Sequence, residues 1–489
     1  MKNQKSLGVN AILNVIRTIL SLVAPLITYP YVSRVLGAEN LGSVNYTNSI
    51  IQYLVLLSGL GISTYGIREG SKKRDNKAEV SKFISDCFTI NIIFTVLAYA
   101  IFLIVLYFFG SEKNYFSLFV VQSFLIIFST IGIEWINTVF EDYYYITIRT
   151  IIVQIVSIAL TFLLIHKRED YLLYAVVTVM GTGIVSVLNW VHYRNSISIR
   201  IERHPNFKLH FKSITVFFAN KLAVTLYVSA DTTMLGAMVG NYSVGLYSVS
   251  VKIYTIIKNL LAAMYAVFLP RLSYIEGRKD RVSFKSLYSN LMSIMTLIIF
   301  PASVGLLCLS KNIIVLLFGI EYMDSYFSLV ILSIAIIFAI YGGLVAAVYD
   351  VVMGLEKIAL QSTIIAASLN IVINMITLPI YRQNGAALTT LLAEFVTFAY
   401  CLFRSKDIFN CVDLKMVCKS IFHAIIGCTE ISLIVWIVNA HTNSNILICI
   451  ISFVMSASLY LLTLIILKNK HIIEGINMIR NKLHRHNGD

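Results

Sequence analysis

Charge is what this chain lacks. Only 13% of its 489 residues are Asp, Glu, Lys or Arg, while 58% are apolar and the mean hydropathy is +0.79. A chain of this length that folded in water would need far more polar surface. Proline and glycine are also sparse, at 6 and 24, which excludes long disordered linkers. Loops stay below about twenty residues, leaving no room for a soluble domain, which starts near 50 residues. The cysteines (Cys87, Cys308, Cys401, Cys411, Cys418, Cys428 and Cys449) are scattered and odd in number, without metal-ligand spacing. His166, His192, His204, His210 and His441 fall at span ends or in loops. There is no Gly-x-x-x-x-Gly-Lys segment, so no intrinsic ATPase is expected. The residues indicate no metal and no cofactor.

What is present is a series of apolar stretches that are apolar all the way round a helix, the mark of helices in lipid. About fourteen candidate spans can be drawn, each near the roughly 20 residues a crossing needs. They run over 9–31, 43–66, 84–109, 116–139, 147–165, 172–192, 214–238, 244–269, 287–309, 326–350, 358–380, 385–403, 420–438 and 446–467. Runs this long and continuous exclude a transmembrane barrel, whose strands alternate over about ten residues. The expectation is an all-α polytopic membrane protein.

Basic residues alternate between loops. Arg68, Lys72, Lys73, Arg74, Lys77 and Lys82 fall on one side, together with Arg194, Arg200, Arg203, Lys208 and Lys212. Arg271, Arg278, Lys279, Arg281 and Lys285 share that side, as do Arg404, Lys406, Lys415 and Lys419 and the tail with Lys468, Lys470, Arg480, Lys482 and Arg485. The intervening loops hold only Arg34, Lys113, Lys167, Arg168, Lys311 and Arg382. The positive-inside rule then puts both termini in the cytoplasm. The net charge of +14 reflects this asymmetry, and anionic lipid rather than nucleic acid is its partner.

Four basic residues remain inside spans: Arg17, Lys221, Lys252 and Lys258. Facing lipid, they would together cost about 10 kcal/mol or more. Arg17 belongs to a helical stripe with Asn10, Asn14, Ser21 and Thr28, and Lys252 to one with Ser248, Thr255 and Asn259. Asn45, Asn48, Ser49 and Gln52 add polar groups on the second span, Lys221, Thr225 and Thr232 on the seventh, and Thr363, Asn370, Asn374 and Thr377 on the eleventh. Isolated Ser and Thr read as interhelical glue. Stripes centred on Arg or Lys read as the wall of a wet cavity. Lys258 lies off the Lys252 stripe, where snorkelling accounts for it equally well. Of the acids within spans, Glu134, Asp231 and Glu394 are counter-ion or coupling candidates, and Asp231 and Asp350 lie near span ends, within reach of water.

An internal repeat organises the chain. "LGAENLGSVNY" at Leu36 to Tyr46 and "LGAMVGNYSVGLY" at Leu235 to Tyr247 occupy corresponding hairpins of a six-plus-six duplication. This predicts lobes at 1–205 and 206–405, with two extra helices and a cytoplasmic tail at 406–489. Six is even, so the lobes share one orientation and a substrate belongs at their interface.

Two longer stretches carry a resemblance. "YVSRVLGAENLGSVNYTNSI" with "GLGISTYGIREGSK", and "GIEWINTVFEDYYYITIRT", resemble the signatures of bacterial polysaccharide flippases, relatives of the multidrug extruders. The matching residues are Arg34, Gly37, Gly42, Gly61, Gly66 and Arg68, then Glu134, Trp135, Glu141, Tyr143 and Arg149. "DTTMLGAMVGNYSVGLYS" and Pro270-Arg271 match as well. Thr138-Val139 stands where the family usually has Gln-Gly.

The resemblance, covering about residues 1–400, implies a transporter rather than an enzyme. It would sit in the bacterial cytoplasmic membrane and flip an oligosaccharide on an undecaprenyl-pyrophosphate carrier by alternating access, for O-antigen, capsule or exopolysaccharide. A polysaccharide polymerase and glycosyltransferases are the implied protein partners. Arg17, Lys221 and Lys252 would then meet the pyrophosphate, and Asn14, Ser21, Asn48, Gln52, Thr255, Asn259 and Asn374 the sugars. A cation-coupled drug extruder would want an acidic cavity instead. An embedded polymerase or glycosyltransferase would want a sizeable outer loop, and a scaffold would need no buried Arg or Lys.

Overall fold

The computed structural model describes residues 7–110, 115–194, 197–203 and 205–474. Lys113, His204, Arg480, Lys482 and Arg485 lie outside the described residues, as does the side chain of Asn14. Every long element among the described residues is helical. Among the described residues twelve helices are long and apolar enough to cross a membrane.

The first compact unit comprises Met1–Ser248 together with Asn374–Arg382. Its helices are α1 (Leu7–Gly59), α2 (Ile62–Lys73), α3 (Lys77–Phe109), α4 (Tyr115–Ile131), α5 (Glu134–Val139), α6 (Tyr143–Leu164), α7 (Tyr171–Arg194), α8 (Phe207–Met238) and the start of α9 (Asn241–Ala266). As a straight rod α1 would be about 80 Å long, far more than the roughly 30 Å of hydrocarbon it has to cross. It breaks at Gly37, whose φ of 75° and ψ of 168° suit glycine. Asn45 Nδ2 donates to the Tyr29 hydroxyl at 3.1 Å, sixteen residues apart in sequence. That bond is possible only if the chain folds back on itself at Gly37. α1 is therefore a helical hairpin, and α3, α4, α6, α7 and α8 pack around it.

The two repeated motifs meet within this unit. A Cβ on Gly42 would lie 1.8 Å from the Asn241 carbonyl oxygen, and one on Gly245 would lie 2.0 Å from that of Ala38. Each motif lends a glycine to the backbone of the other, a reciprocal contact that no side chain could share.

The second compact unit comprises Val249–Ile373 and Gln383–Asp489. It holds the rest of α9, then α10 (Leu269–Gly277), α11 (Arg281–Phe318) and α12 (Tyr326–Gly343). A π turn over Leu344–Tyr349 leads into α13 (Asp350–Val352), followed by most of α14 (Glu356–Arg404), α15 (Leu414–His441) and α16 (Asn445–Ile466). α11 is its hub, packed on α10, α12, α15 and α16. α14 breaks at Arg382. The Tyr400 hydroxyl donates to Gln361 Oε1 at 3.0 Å, so this helix also folds back.

Local sequence explains where helices begin. Asn76, Asp142, Asp280 and Asp413 stand at the N-termini of α3, α6, α11 and α15, each side chain accepting from first-turn amides. Large apolar side chains such as Tyr107 (78% exposed) and Phe453 (72%) point outward, as a hydrocarbon solvent demands. The bounds of the two compact units differ from the sequence lobes 1–205 and 206–405, since α8 groups with the first unit.

Candidate functional site

The first unit gathers charge around one break in its helices. Ile133 takes a left-handed conformation (φ 32°), ending the fourth crossing and starting α5 at Glu134. Glu134 thus lies within the candidate span Tyr115–Val139, as expected, but at the break that opens α5 and with its side chain 49% exposed. Arg149 comes from the second turn of α6, because Asp142 caps that helix at Tyr143, four residues before the start of the predicted span. Its guanidinium is 2% exposed and donates to Glu134 Oε1 at 3.1 Å. Its other nitrogen binds Asn189 Oδ1. Asn189 is itself fixed by donating to the Gly132 carbonyl at 2.7 Å and by accepting from Asn137 at 3.0 Å.

Arg17, from the first half of α1, approaches the same Glu134 oxygen at 3.9 Å with 37% of its side chain exposed. Two guanidiniums therefore share one carboxylate, and the cluster keeps one positive charge in surplus. Arg149 is the buried member of this cluster and Arg17 the exposed one.

Other residues expected to bind substrate have different company. Gln52 Nε2 donates to Asn48 Oδ1 at 3.2 Å along the same helix. Asn374 is fully buried, donating to Asp231 Oδ1 at 2.6 Å, and the Tyr247 hydroxyl donates to Asp231 Oδ2 at 2.7 Å. Asp231 is 4% exposed and Asp350 0%, so neither reaches water as their places near span ends suggested. Asp350 instead accepts from the Ser405 hydroxyl at 2.5 Å. Ser21 and Lys221 are exposed.

In the second unit Lys252 and Thr255 are half-buried and Asn259 is exposed. Glu394, only 6% exposed at its side chain, receives Lys258 Nζ and a 2.6 Å hydrogen bond from the Tyr254 hydroxyl. Lys258 also stands 5.5 Å from the centre of the Tyr254 ring. The sequence reading divided Lys258 evenly between roles, yet it is the residue that meets this buried acid. Arg149 and Asn189 were not picked out as part of a charged site at all. The capping Asp142 was the available signal for Arg149, since it moves that residue inside a helix.

A multi-pass helical bundle with a surplus cation near a break is the class that fold and site define. Residues 7–276 match the family described as polysaccharide biosynthesis protein, and the chain belongs to that family. An Escherichia coli (strain K12) relative named as an O-antigen transporter is 23% identical over 76% of this chain and 89% of its own length. The capsular polysaccharide biosynthesis protein CapF of Staphylococcus aureus is 24% identical over 43% of this chain and 55% of its own. Among solved structures, the lipid II flippase MurJ in an inward closed conformation superposes with a TM-score of 0.71 at 17% identity, covering 95% of this chain and 99% of its own. An inward-facing multidrug resistance MATE family transporter of the MOP superfamily gives 0.60 at 14% identity, over 81% and 96%. The chain is thus a multi-pass helical membrane protein of that family, and relatives and structural neighbours among these are named as transporters and flippases.

Proposed function

We propose that the protein flips an oligosaccharide carried on undecaprenyl pyrophosphate from the cytoplasmic to the outer leaflet of a bacterial cytoplasmic membrane by alternating access. The observation that carries this reading is the surplus cation: Arg17 and Arg149 share Glu134, and only Arg149 is buried. A pyrophosphate cannot cross hydrocarbon bare, and a forked guanidinium is the side chain best matched to it. Relatives named for O-antigen transport and capsule biosynthesis support a lipid-linked glycan as the cargo. Reading α1 and α14 as hairpins that each cross twice gives fourteen crossings with both termini cytoplasmic. The reciprocal glycines support the six-plus-six duplication. Asn14, Ser21, Asn48 and Gln52 would present amides and hydroxyls to sugar, Lys221, Lys252, Thr255 and Asn259 would extend the cationic and polar surface, and Asn374 would act through Asp231. Glu134 and Glu394 would serve as counter-ions.

Arg17→Ala tests the reading. It should leave the protein inserted and folded, abolish surface polysaccharide and build up lipid-linked repeat units on the cytoplasmic side. Arg17→Lys should keep part of the output, since charge survives and the fork is lost. Undiminished polysaccharide per folded molecule in Arg17→Ala would discard the proposal. Reduced cellular accumulation of organic cations dependent on this protein would favour a drug extruder instead.

A further inference from the structure

The two compact units carry similar basic corners that are wired differently. In the first, "REGSKKRD" at 68–75 closes α2, and every strong base there finds a carboxylate. Arg68 and Lys72 bind Glu69 at 2.8 and 3.0 Å, Lys73 reaches Glu79 at 3.3 Å, and Arg74 reaches Glu141 at 2.5 Å. In the second, "IEGRKDR" at 275–281 closes α10 and opens α11. Among the described residues neither Arg271 nor Arg278 has a carboxylate within ion-pair distance. Arg278 instead lies over the Tyr274 ring at 4.8 Å.

These two arginines border a cleft of about 590 Å³, lined also by Tyr274, Asp280, Ser283 and Asn290. That volume lies within the range of small-ligand sites, roughly 300–1,000 Å³. Asp280 is the one acid of its lining, and it is occupied in capping α11 through Ser283 at 3.0 Å. That bond and the Ser283 hydroxyl hold its carboxyl below the usual range, so it stays ionised at neutral pH. Its lining also bares apolar surface: Tyr274 is 60% exposed and Val282 82%. A tyrosine and a valine left bare beside arginines are what a chain shows at the level of lipid headgroups.

We propose that this α10–α11 cleft is a binding site for the phosphodiester headgroup of an anionic phospholipid in the leaflet it faces. Topogenic charge alone does not account for it, because the α2 corner carries the same sign of charge yet brings each of its four bases to a carboxylate, Arg68 and Lys72 sharing Glu69. Two arginines and one aspartate leave the lining with a single positive charge, which matches a phosphodiester monoanion. A pyrophosphate, with two or three negative charges, would meet the Asp280 carboxylate unfavourably. The site is separate from Arg17 and independent of which glycan is carried.

The test uses the full chain in neutral-detergent micelles, titrated with phosphatidylglycerol or phosphatidylcholine and followed by melting temperature and by lipid retained in native mass spectrometry. Phosphatidylglycerol should raise the melting temperature and stay bound, while phosphatidylcholine does neither. The double variant R271Q/R278Q should weaken phosphatidylglycerol binding by about tenfold or more, the scale of losing charge-assisted hydrogen bonds. R68Q/K72Q, at the paired corner, should bind like the wild type. R271K/R278K should fall between, and the single variant R278Q reports if the double variant does not fold. Equal binding by R271Q/R278Q and wild type would overturn the proposal, as would equal loss in R68Q/K72Q. An identical shift with glycerol 3-phosphate alone would assign the cleft to a free anion, and preference for undecaprenyl pyrophosphate would assign it to the cargo; either result overturns the phospholipid.

Discussion

The charged cluster of the first unit has two cations on one half-exposed carboxylate, whereas that of the second has one cation on a carboxylate sealed from solvent. The first is over-supplied with positive charge and open on the Arg17 side. The second is balanced and closed. An open, unbalanced cluster costs little to hold and can exchange its partner for a ligand. A closed, balanced one is expensive to break, because removing either member strands a charge in a poor solvent. Similar chemistry is thus left open in one unit and closed in the other, and on the function proposed above the open cluster is the one suited to capture.

Breaking the closed cluster should have the largest effect on folding. Lys258→Ala leaves Glu394 with the Tyr254 hydroxyl alone and should cost about 3 kcal/mol, toward the lower end for a buried pair because Lys258 is 30% exposed. Adding Glu394→Gln should restore much of the loss, measured as the thermal midpoint in micelles. A midpoint unchanged by Lys258→Ala would remove the contrast between the clusters.

Next comes the buried member of the open cluster. Arg149→Ala empties a buried site and deprives Asn189 of its charged donor, which should cost about 2–3 kcal/mol. Polysaccharide output should fall with it, since Glu134 would lose the bond that aims it at Arg17. Normal output from a destabilised Arg149→Ala protein would show that Arg17 needs no such support.

Glu134→Gln sharpens the comparison from the other side. Folding should weaken by about 1–2 kcal/mol, because the buried Arg149 loses its carboxylate, while the long, exposed Arg17 pair adds little. Binding of a pyrophosphate-bearing lipid should tighten by about threefold at low ionic strength, and the gain should shrink as salt rises. The smallest change is expected outside both clusters. Arg382 sits at φ 50°, so Arg382→Gly should stabilise the fold slightly, by about 0.5–1 kcal/mol, seen as a small rise in the thermal midpoint.

How far the sequence could be read differs between these features. The helical class followed from apolar runs, and the hairpin in α1 from "LGAENLG", whose Gly37 supplies the break. The hairpin in α14 was legible too, as the spans 358–380 and 385–403, because Arg382 interrupts the apolar run where the helix breaks. Arg17 and Glu134 stood out because each interrupts or ends an apolar run. The link between Lys258 and Glu394 did not, since 136 residues separate them and only packing brings α9 to α14. Asp350 was misjudged for a related reason: position along a span says nothing about which neighbour covers it.

The reciprocal glycines also bear on how the protein is made. Residues 36–46 leave the ribosome about 200 residues ahead of residues 235–247, so the first hairpin enters the membrane long before its counterpart exists. Until then the Ala38 carbonyl and the flat face at Gly42 have nothing to lie against. The nascent chain must pass through a stage in which an unfinished half is held by lipid or by the insertion machinery. A ribosome stalled before Leu235 should leave that half open to protease, and one stalled after Tyr247 should leave it protected.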